Sequence, residues 1–67
     1  MPTGRLKSWV ADRGFGFIRP REGGKDIFFH QRDIDLNPDD LQTGDWLQFE
    51  LSTGRDGRPI AVRVRHE

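Results

Sequence analysis

The stretch Arg13–Ile18, RGFGFI, decides the fold because it sets two phenylalanines two positions apart between glycines. Side chains alternate across a β-strand, and Ile18 is the natural core residue of this segment. Both glycines then point inward with Ile18, which suits a strand that bends tightly around a narrow barrel. Phe15 and Phe17 point outward, so we expect them to serve a purpose other than filling the core.

The rest of the chain consists of short apolar runs separated by glycine- and proline-rich turns, without an amphipathic helix of about ten residues. A short helical turn is predicted at 31–34, followed by a loop at 35–44. Five strands are predicted at 5–10, 14–19, 26–30, 46–52 and 59–65. This pattern predicts a single all-β domain, 1–67, folded as a small five-stranded antiparallel barrel. Its length is near the lower limit for independent folding.

The same alternation predicts the core and the outer surface of the other strands. Trp46 falls on the outer side of strand four, away from strands one to three, where we expect it to cover a barrel end rather than a base. The core residues predicted in strands three, four and five are Ile27, Phe29, Leu47, Phe49, Leu51, Ile60, Val62 and Val64.

Strands one to three are predicted to share an outer surface of rings surrounded by cations. The rings are Trp9, Phe15, Phe17, Phe28 and His30, and the cations are Arg5, Lys7, Arg13, Arg19 and Lys25. An unpaired base that stacks on an aromatic ring contributes about 1–3 kcal/mol, and cations attract the phosphates. Duplexes hide their base faces, so this surface favours single strands. The residues alone also allow a patch that binds a protein or is covered by a loop.

The charges are segregated along the chain although the net charge is zero. Residues 1–32 contain seven basic and three acidic side chains, whereas residues 33–53 contain six acidic and no basic ones. Residues 54–67 contain four basic and two acidic side chains. This distribution permits a basic face with most of the acidic residues elsewhere.

Several functional classes are disfavoured by the composition. The absence of cysteine excludes disulfides, thiolate catalysis and cysteine zinc sites, and it favours a reducing cytoplasm. The N-terminus has no apolar run, so we expect neither a signal peptide nor a membrane span there. His30 and His66 lack metal-ligand spacing, and the calcium-loop-like start at 33–37 fails at Pro38 and Gly44. We therefore expect no enzymatic activity, no metal and no cofactor.

Two motifs together carry a family resemblance. RGFGFI, followed by DIFFH at 26–30, resembles the paired ribonucleoprotein motifs of the cold-shock domain. The similarity continues through GRLKSW at 4–9, LQTGDWLQFEL at 41–51 and TGRDGRPIAVRV at 53–64. This resemblance implies a five-stranded OB-type barrel that binds single-stranded RNA or DNA. It also implies a role as an RNA chaperone or a regulator of transcription or translation, usually in a bacterial cytoplasm.

The resemblance also implies site residues. Phe15, Phe17, Phe28 and His30 match the family's stacking positions, and Lys7, Arg13 and Asp26 match polar positions beside them. The chain departs from the family where Ser8 and Gln31 replace usual aromatics and where the 35–40 loop has no ring. The complete set predicted to bind nucleic acid is Lys7, Trp9, Arg13, Phe15, Phe17, Arg19, Lys25, Asp26, Phe28, His30, Gln31 and Arg55.

The predicted partner is single-stranded RNA or DNA, bound by a cytoplasmic monomer without a small-molecule cofactor. The long middle loop also permits a dimer that exchanges strands. The alternative function is a protein-interaction barrel that uses the same exposed rings, with the acidic 33–50 segment steering the partner.

Overall fold

Five strands close into a barrel in the computed structural model, which describes residues 2–67. The strands are β1 (Thr3–Val10), β2 (Phe15–Pro20), β3 (Ile27–His30), β4 (Trp46–Thr53) and β5 (Pro59–His66). Short 3₁₀ helices occupy Gln31–Asp33, as predicted, and Pro38–Asp40, within the predicted loop. None of the helices in residues 2–67 has the length and apolar content needed to cross a membrane.

The strand order around the barrel is β1-β2-β3-β5-β4, and β4 returns to pair with β1. Four of the pairs are antiparallel, but β5 runs parallel to β3, with Phe28 opposite Ile60. The predicted all-β, five-stranded barrel is confirmed, and the expectation of a purely antiparallel one is wrong in this pair. Because β4 pairs with β1 instead of β3, β5 meets β3 in the same direction.

The barrel core is built from inward side chains of all five strands. Phe29 and Phe49 are its largest fully buried members, as predicted, and Leu41 joins them from the loop. Gly16 makes this packing possible, because a Cβ there would lie 2.5 Å from the Ser8 carbonyl oxygen and 2.9 Å from the Phe29 ring. The inward placement predicted for Gly16 and Ile18 is therefore confirmed.

A β-bulge in β1 changes the face on which the following residues lie. Leu6 is opposite Ile18 and Ser8 is opposite Phe17, so Lys7 is the extra residue. Ser8 consequently takes the outer position, and Trp9 lies on the inner side. The Trp9 ring stacks on Phe29, with centroids 5.6 Å apart and planes 9° apart. The prediction that Trp9 shares the outer surface is wrong, because simple alternation does not survive the bulge.

A second bulge, in β5, explains an error in the predicted core. Between the pairs Gln48–Arg65 and Glu50–Val62, one residue of β4, Phe49, faces two of β5, Arg63 and Val64. Arg63 has a positive φ of 52° within this bulge. The extra residue allows Ala61 and Val64 both to point inward and become fully buried. Ile60 and Val62, predicted in the core, are only half-buried.

Leu51 was also predicted in the core and is 57% exposed. It lies opposite Ala61 and on the same side of β4 as Phe49, so the side of the strand on which it lies was predicted correctly. Its position is the open end of the barrel, where it lines a cavity of about 610 Å³ together with Pro20 and Ile27. Alternation predicts whether a side chain points into the barrel, but it does not predict whether that position lies in the core or at an exposed end of the barrel.

Candidate nucleic-acid interface

Three phenylalanines form a cluster on the outside of β2 and β3, and we call Phe15, Phe17 and Phe28 the aromatic platform. The ring centroid of Phe28 lies 5.7 Å from that of Phe15 and 5.8 Å from that of Phe17. Phe15 and Phe17 meet edge to face at 6.2 Å. Each ring is half-buried, so the three rings support one another and still present apolar surface to solvent. Their predicted outward placement is confirmed.

His30 and Gln31 lie at one end of the platform. His30 is opposite Phe15 in the sheet, and its Nδ1 accepts a hydrogen bond from the backbone N–H of Arg32 at 3.3 Å. This bond caps the following 3₁₀ helix and fixes the imidazole at the edge of the rings. The backbone N–H of Gln31 donates to the Gly14 carbonyl oxygen at 2.8 Å. The exposed Gln31 side chain therefore lies beside the turn that precedes Phe15.

An open groove of about 980 Å³ adjoins the platform. Phe17 and Phe28 form one wall, and the turn between β4 and β5 forms the other. Six of the predicted site residues line this groove: Phe17, Lys25, Asp26, Phe28, His30 and Arg55. Arg32, Arg58 and Ile60 also line the groove, and the sequence pattern did not predict them as site residues. Arg32 could have been found from its place in the basic segment at 1–32. Ile60 could not, because the parallel pairing that brings it to Phe28 has no local signal in the sequence.

Asp26 links two of the predicted cations. Its carboxylate accepts a hydrogen bond from Lys7 Nζ at 2.6 Å and lies 3.7 Å from Arg19 Nε. The Lys7 hydrogen bond, with the positive charges of Lys7 and Arg19, lowers the pKa of Asp26 below its ordinary value of 3.8. Partial burial opposes this change. Lys7 and Arg19 are thus partly neutralised, and the three side chains together retain one positive charge.

Other cations near the platform have no such partner. Within residues 2–67, no carboxylate lies at ion-pair distance from four exposed basic side chains, namely Arg13, Lys25, Arg32 and Arg55. Of the six acidic residues at 33–53, only Asp33 lines the groove. The acidic segment thus lies mostly outside the groove, but four basic and three acidic side chains line the groove itself, so the expected separation of charge holds only in part.

Asp45 lies outside the groove and has partners of its own. Asp45 accepts hydrogen bonds from the backbone N–H of Gln42 at 3.0 Å and interacts with His66 Nε2 at 3.1 Å. These contacts lower the pKa of Asp45, the bond from Gln42 having the larger effect. No group of histidine, aspartate and glutamate side chains in the described part of the chain has the arrangement of a metal site.

Trp46 lies next to strand one, contrary to its predicted position. It is paired with Arg5 across β1 and β4, and the guanidinium carbon of Arg5 lies 4.8 Å from the indole centroid. Arg21 approaches the same ring to 4.4 Å. The sequence pattern suggested the outer side of β4 correctly, but it did not predict that β4 closes the barrel against β1.

The architecture and its outer surface define a class: small β-barrels that carry clustered rings and cations on one face. Comparison with known proteins gives the family. The sequence matches the family described as the "Cold-shock" DNA-binding domain over residues 2–67. The chain therefore belongs to the cold-shock domain family, as the resemblance predicted.

Individual relatives and a solved structure agree with this assignment. Cold shock-like protein CspB of Yersinia pestis is 41% identical over 63 residues, which cover 92% of this chain and 89% of that protein. Glycine-rich protein 2 of Nicotiana sylvestris is 45% identical over 58 residues, or 84% of this chain and only 27% of that protein. The structure titled "drosophila Unr CSD456" has a TM-score of 0.81 and 26% identity, covering 98% of this chain and 26% of that one. The predicted OB-type barrel is thereby confirmed.

Proposed function

We propose that this protein binds single-stranded RNA or DNA by stacking unpaired bases on the aromatic platform. The main support is the position of Phe15, Phe17 and Phe28, three touching rings on the outside of a barrel that already has a complete core. Each stacked base contributes about 1–3 kcal/mol, whichever base it is, because every base has a π-face.

The residues of the site divide into three roles. Phe15, Phe17, Phe28 and His30 stack on bases, and Gln31 borders the end of the bound segment. The phosphates are bound by four cations near the platform and groove that have no carboxylate at ion-pair distance within residues 2–67: Arg13, Lys25, Arg32 and Arg55. Lys7, Arg19 and Asp26 form a polar border beside the rings. Trp9 supports Phe29 from the inner side instead of stacking on a base.

This arrangement favours single strands over duplexes and shows little selectivity for sequence. A duplex hides the base faces that the platform needs. No asparagine or glutamine side chain lines the groove, so the residues best suited to reading base edges are absent from its described walls. Stacking strength is the remaining source of base preference.

The biological role that follows is an RNA chaperone or a regulator of transcription or translation in the cytoplasm, acting as a monomer. A protein that binds unpaired strands and not duplexes shifts the equilibrium towards open RNA without consuming ATP. The similarity to CspB, which the chain covers almost completely, supports a role of this kind.

Fluorescence anisotropy with labelled oligothymidine and a blunt duplex of equal length tests the proposal. We expect saturable binding to oligothymidine, much weaker binding to duplex, and a loss of affinity in Phe15→Ala. Leu51→Ala is the matched control, because it also removes an exposed apolar side chain but lies outside the platform and groove. Equal affinity for both nucleic acids would contradict the proposal. No binding to either would favour a protein partner.

A further inference from the structure

A second group of rings and cations lies on the β1–β4 side of the barrel, and we call Arg5, Arg21 and Trp46 the Trp46 cluster. Both guanidinium groups lie within 5 Å of the indole centroid, at 4.8 Å for Arg5 and 4.4 Å for Arg21. Trp46 remains 39% exposed. The cluster therefore combines two positive charges and an aromatic surface that is open to solvent.

The two guanidinium groups beside the indole are suited to binding an anion. A guanidinium uses its π-face against a ring, whereas its five N–H donors lie in its own plane. Within residues 2–67, Arg5 has no carboxylate at ion-pair distance. Arg21 donates to both carboxylate oxygens of Glu67, at 2.9 and 3.2 Å, in an exposed pair. Both bonds come from one terminal nitrogen of Arg21, and the same N–H groups can donate to the oxygens of a phosphate.

The cluster is continuous with the aromatic platform along the outside of the sheet. Arg5 lies opposite Trp46 in β4 and opposite Arg19 in β2, and Phe17 follows on the same face of β2. Strands lie about 4.8 Å apart and residues rise about 3.3 Å, so the Cα atoms of Trp46 and Phe17 are separated by about 12 Å. A strand that occupies the platform thus needs only a short extension to reach Arg5.

We propose that the Trp46 cluster is a second contact site for the same single strand, binding backbone phosphates beyond the segment that stacks on the platform. This inference rests on the proposed function. Arg5 offers a charge that no carboxylate within residues 2–67 neutralises, and a phosphate replaces Glu67 on Arg21. The cluster lengthens the bound segment towards β4, on the side away from the groove and the β4–β5 turn.

The test uses oligothymidines of about 4 and about 16 nucleotides, near the limits of OB-fold site sizes. In Arg5→Gln/Arg21→Gln, we expect unchanged affinity for the short oligomer and about tenfold weaker binding of the long one, as for one lost charge-assisted hydrogen bond. The slope of log affinity against log salt for the long oligomer becomes shallower by about 1.4, or two phosphates. Arg63→Gln is the control for Arg21→Gln, because it removes a guanidinium from another exposed carboxylate pair.

A second measurement keeps both arginines. In a Trp9→Phe background Trp46 is the one tryptophan, and its emission should change with the long oligomer and not with the short one. The second contact site would be overturned if the double variant lost affinity equally for both lengths, or for neither. It would also be overturned if the Trp46 emission did not change with the long oligomer. If the wild type binds neither oligomer, the proposed function itself fails. If it binds both and the double variant matches it, only the second contact site fails.

Discussion

Phe28 and Phe29 are neighbours in β3 with opposite environments. Phe28 is half-buried within the platform, and Phe29 is completely buried between Gly16 and Trp9. The chemistry of the two side chains is the same, so a comparison between them separates binding from folding.

Phe28→Ala is expected to weaken binding to oligothymidine by about 1–3 kcal/mol, the contribution of one stacked base, with little loss of stability. Phe29→Ala is expected to lower the free energy of unfolding by about 3–5 kcal/mol, because it leaves a cavity in the core. Anisotropy titrations and urea unfolding measure the two effects. Unfolding of Phe28→Ala under conditions where Phe29→Ala stays folded would contradict the assignment of faces.

Asp26 provides a second comparison between single residues. Its pKa is lowered most strongly by the Lys7 hydrogen bond, so Lys7→Gln should raise that pKa towards 3.8 more than Arg19→Gln does. The pKa is depressed in the folded protein. The resulting stabilisation is therefore present above pH 3.8 and is lost as the pH falls through the lower folded value. NMR titration of the Asp26 carboxyl carbon measures both shifts, and a larger effect of Arg19→Gln would contradict this order.

At the level of the strand, alternation predicted the platform correctly because β2 and β3 pair without a bulge, from Phe15 with His30 to Ile18 with Ile27. Phe15, Phe17 and Phe28 were placed by it, as were Ile18 and Ile27. It failed for Trp9 in β1 and for Ile60 and Val62 in β5, because each strand contains a bulge that interrupts the alternation. A bulge depends on how two strands fit together around the barrel, and a single strand's sequence does not reveal it.

The β5 bulge has a measurable energetic consequence at Arg63. At a positive φ, the Cβ atom lies too close to the carbonyl oxygen of the same residue, which costs about 1–2 kcal/mol of stability. Glycine has no Cβ atom and avoids this cost. Arg63→Gly should therefore keep or raise stability by up to about 1 kcal/mol, despite losing the exposed pair with Glu50. Ser52→Gly, at an exposed position in the regular part of β4, should lower it by about 0.5–1 kcal/mol. Thermal unfolding compares the stability of the two variants, and equal destabilisation would show that the bulge carries no strain.

For the whole molecule, the sequence predicted a five-stranded barrel and the segregation of charge, but not which distant strands pair to close that barrel. The contacts between β1 and β4 and between β3 and β5 join segments far apart in the chain. They placed Trp46 beside Arg5, and Ile60 and Arg58 at the groove. Only the family resemblance indicated this closure, because no short motif encodes which distant strands become neighbours.

The distribution of charge over the whole surface predicts a modest dependence of binding on salt. Three or four of the unpaired cations near the platform reach phosphates at once, and each contributes about −0.7 to the slope of log affinity against log salt. We expect a slope of about −2 to −3 for an oligomer that covers only the platform. Titrations at several salt concentrations measure it. A slope near zero would show that the rings bind without help from the backbone phosphates.

The groove crosses the barrel where it is least securely closed. Between β3 and β5, the pairing consists of Phe28 with Ile60, supplemented by the isolated bridge between Ile34 and Val64. Local opening of a folded protein begins where few hydrogen bonds must break, and a ligand that touches both sides opposes it. A bound strand in this groove therefore acts as a clasp, and backbone amides along β3 and β5 should exchange with deuterium more slowly when the protein is saturated with oligonucleotide.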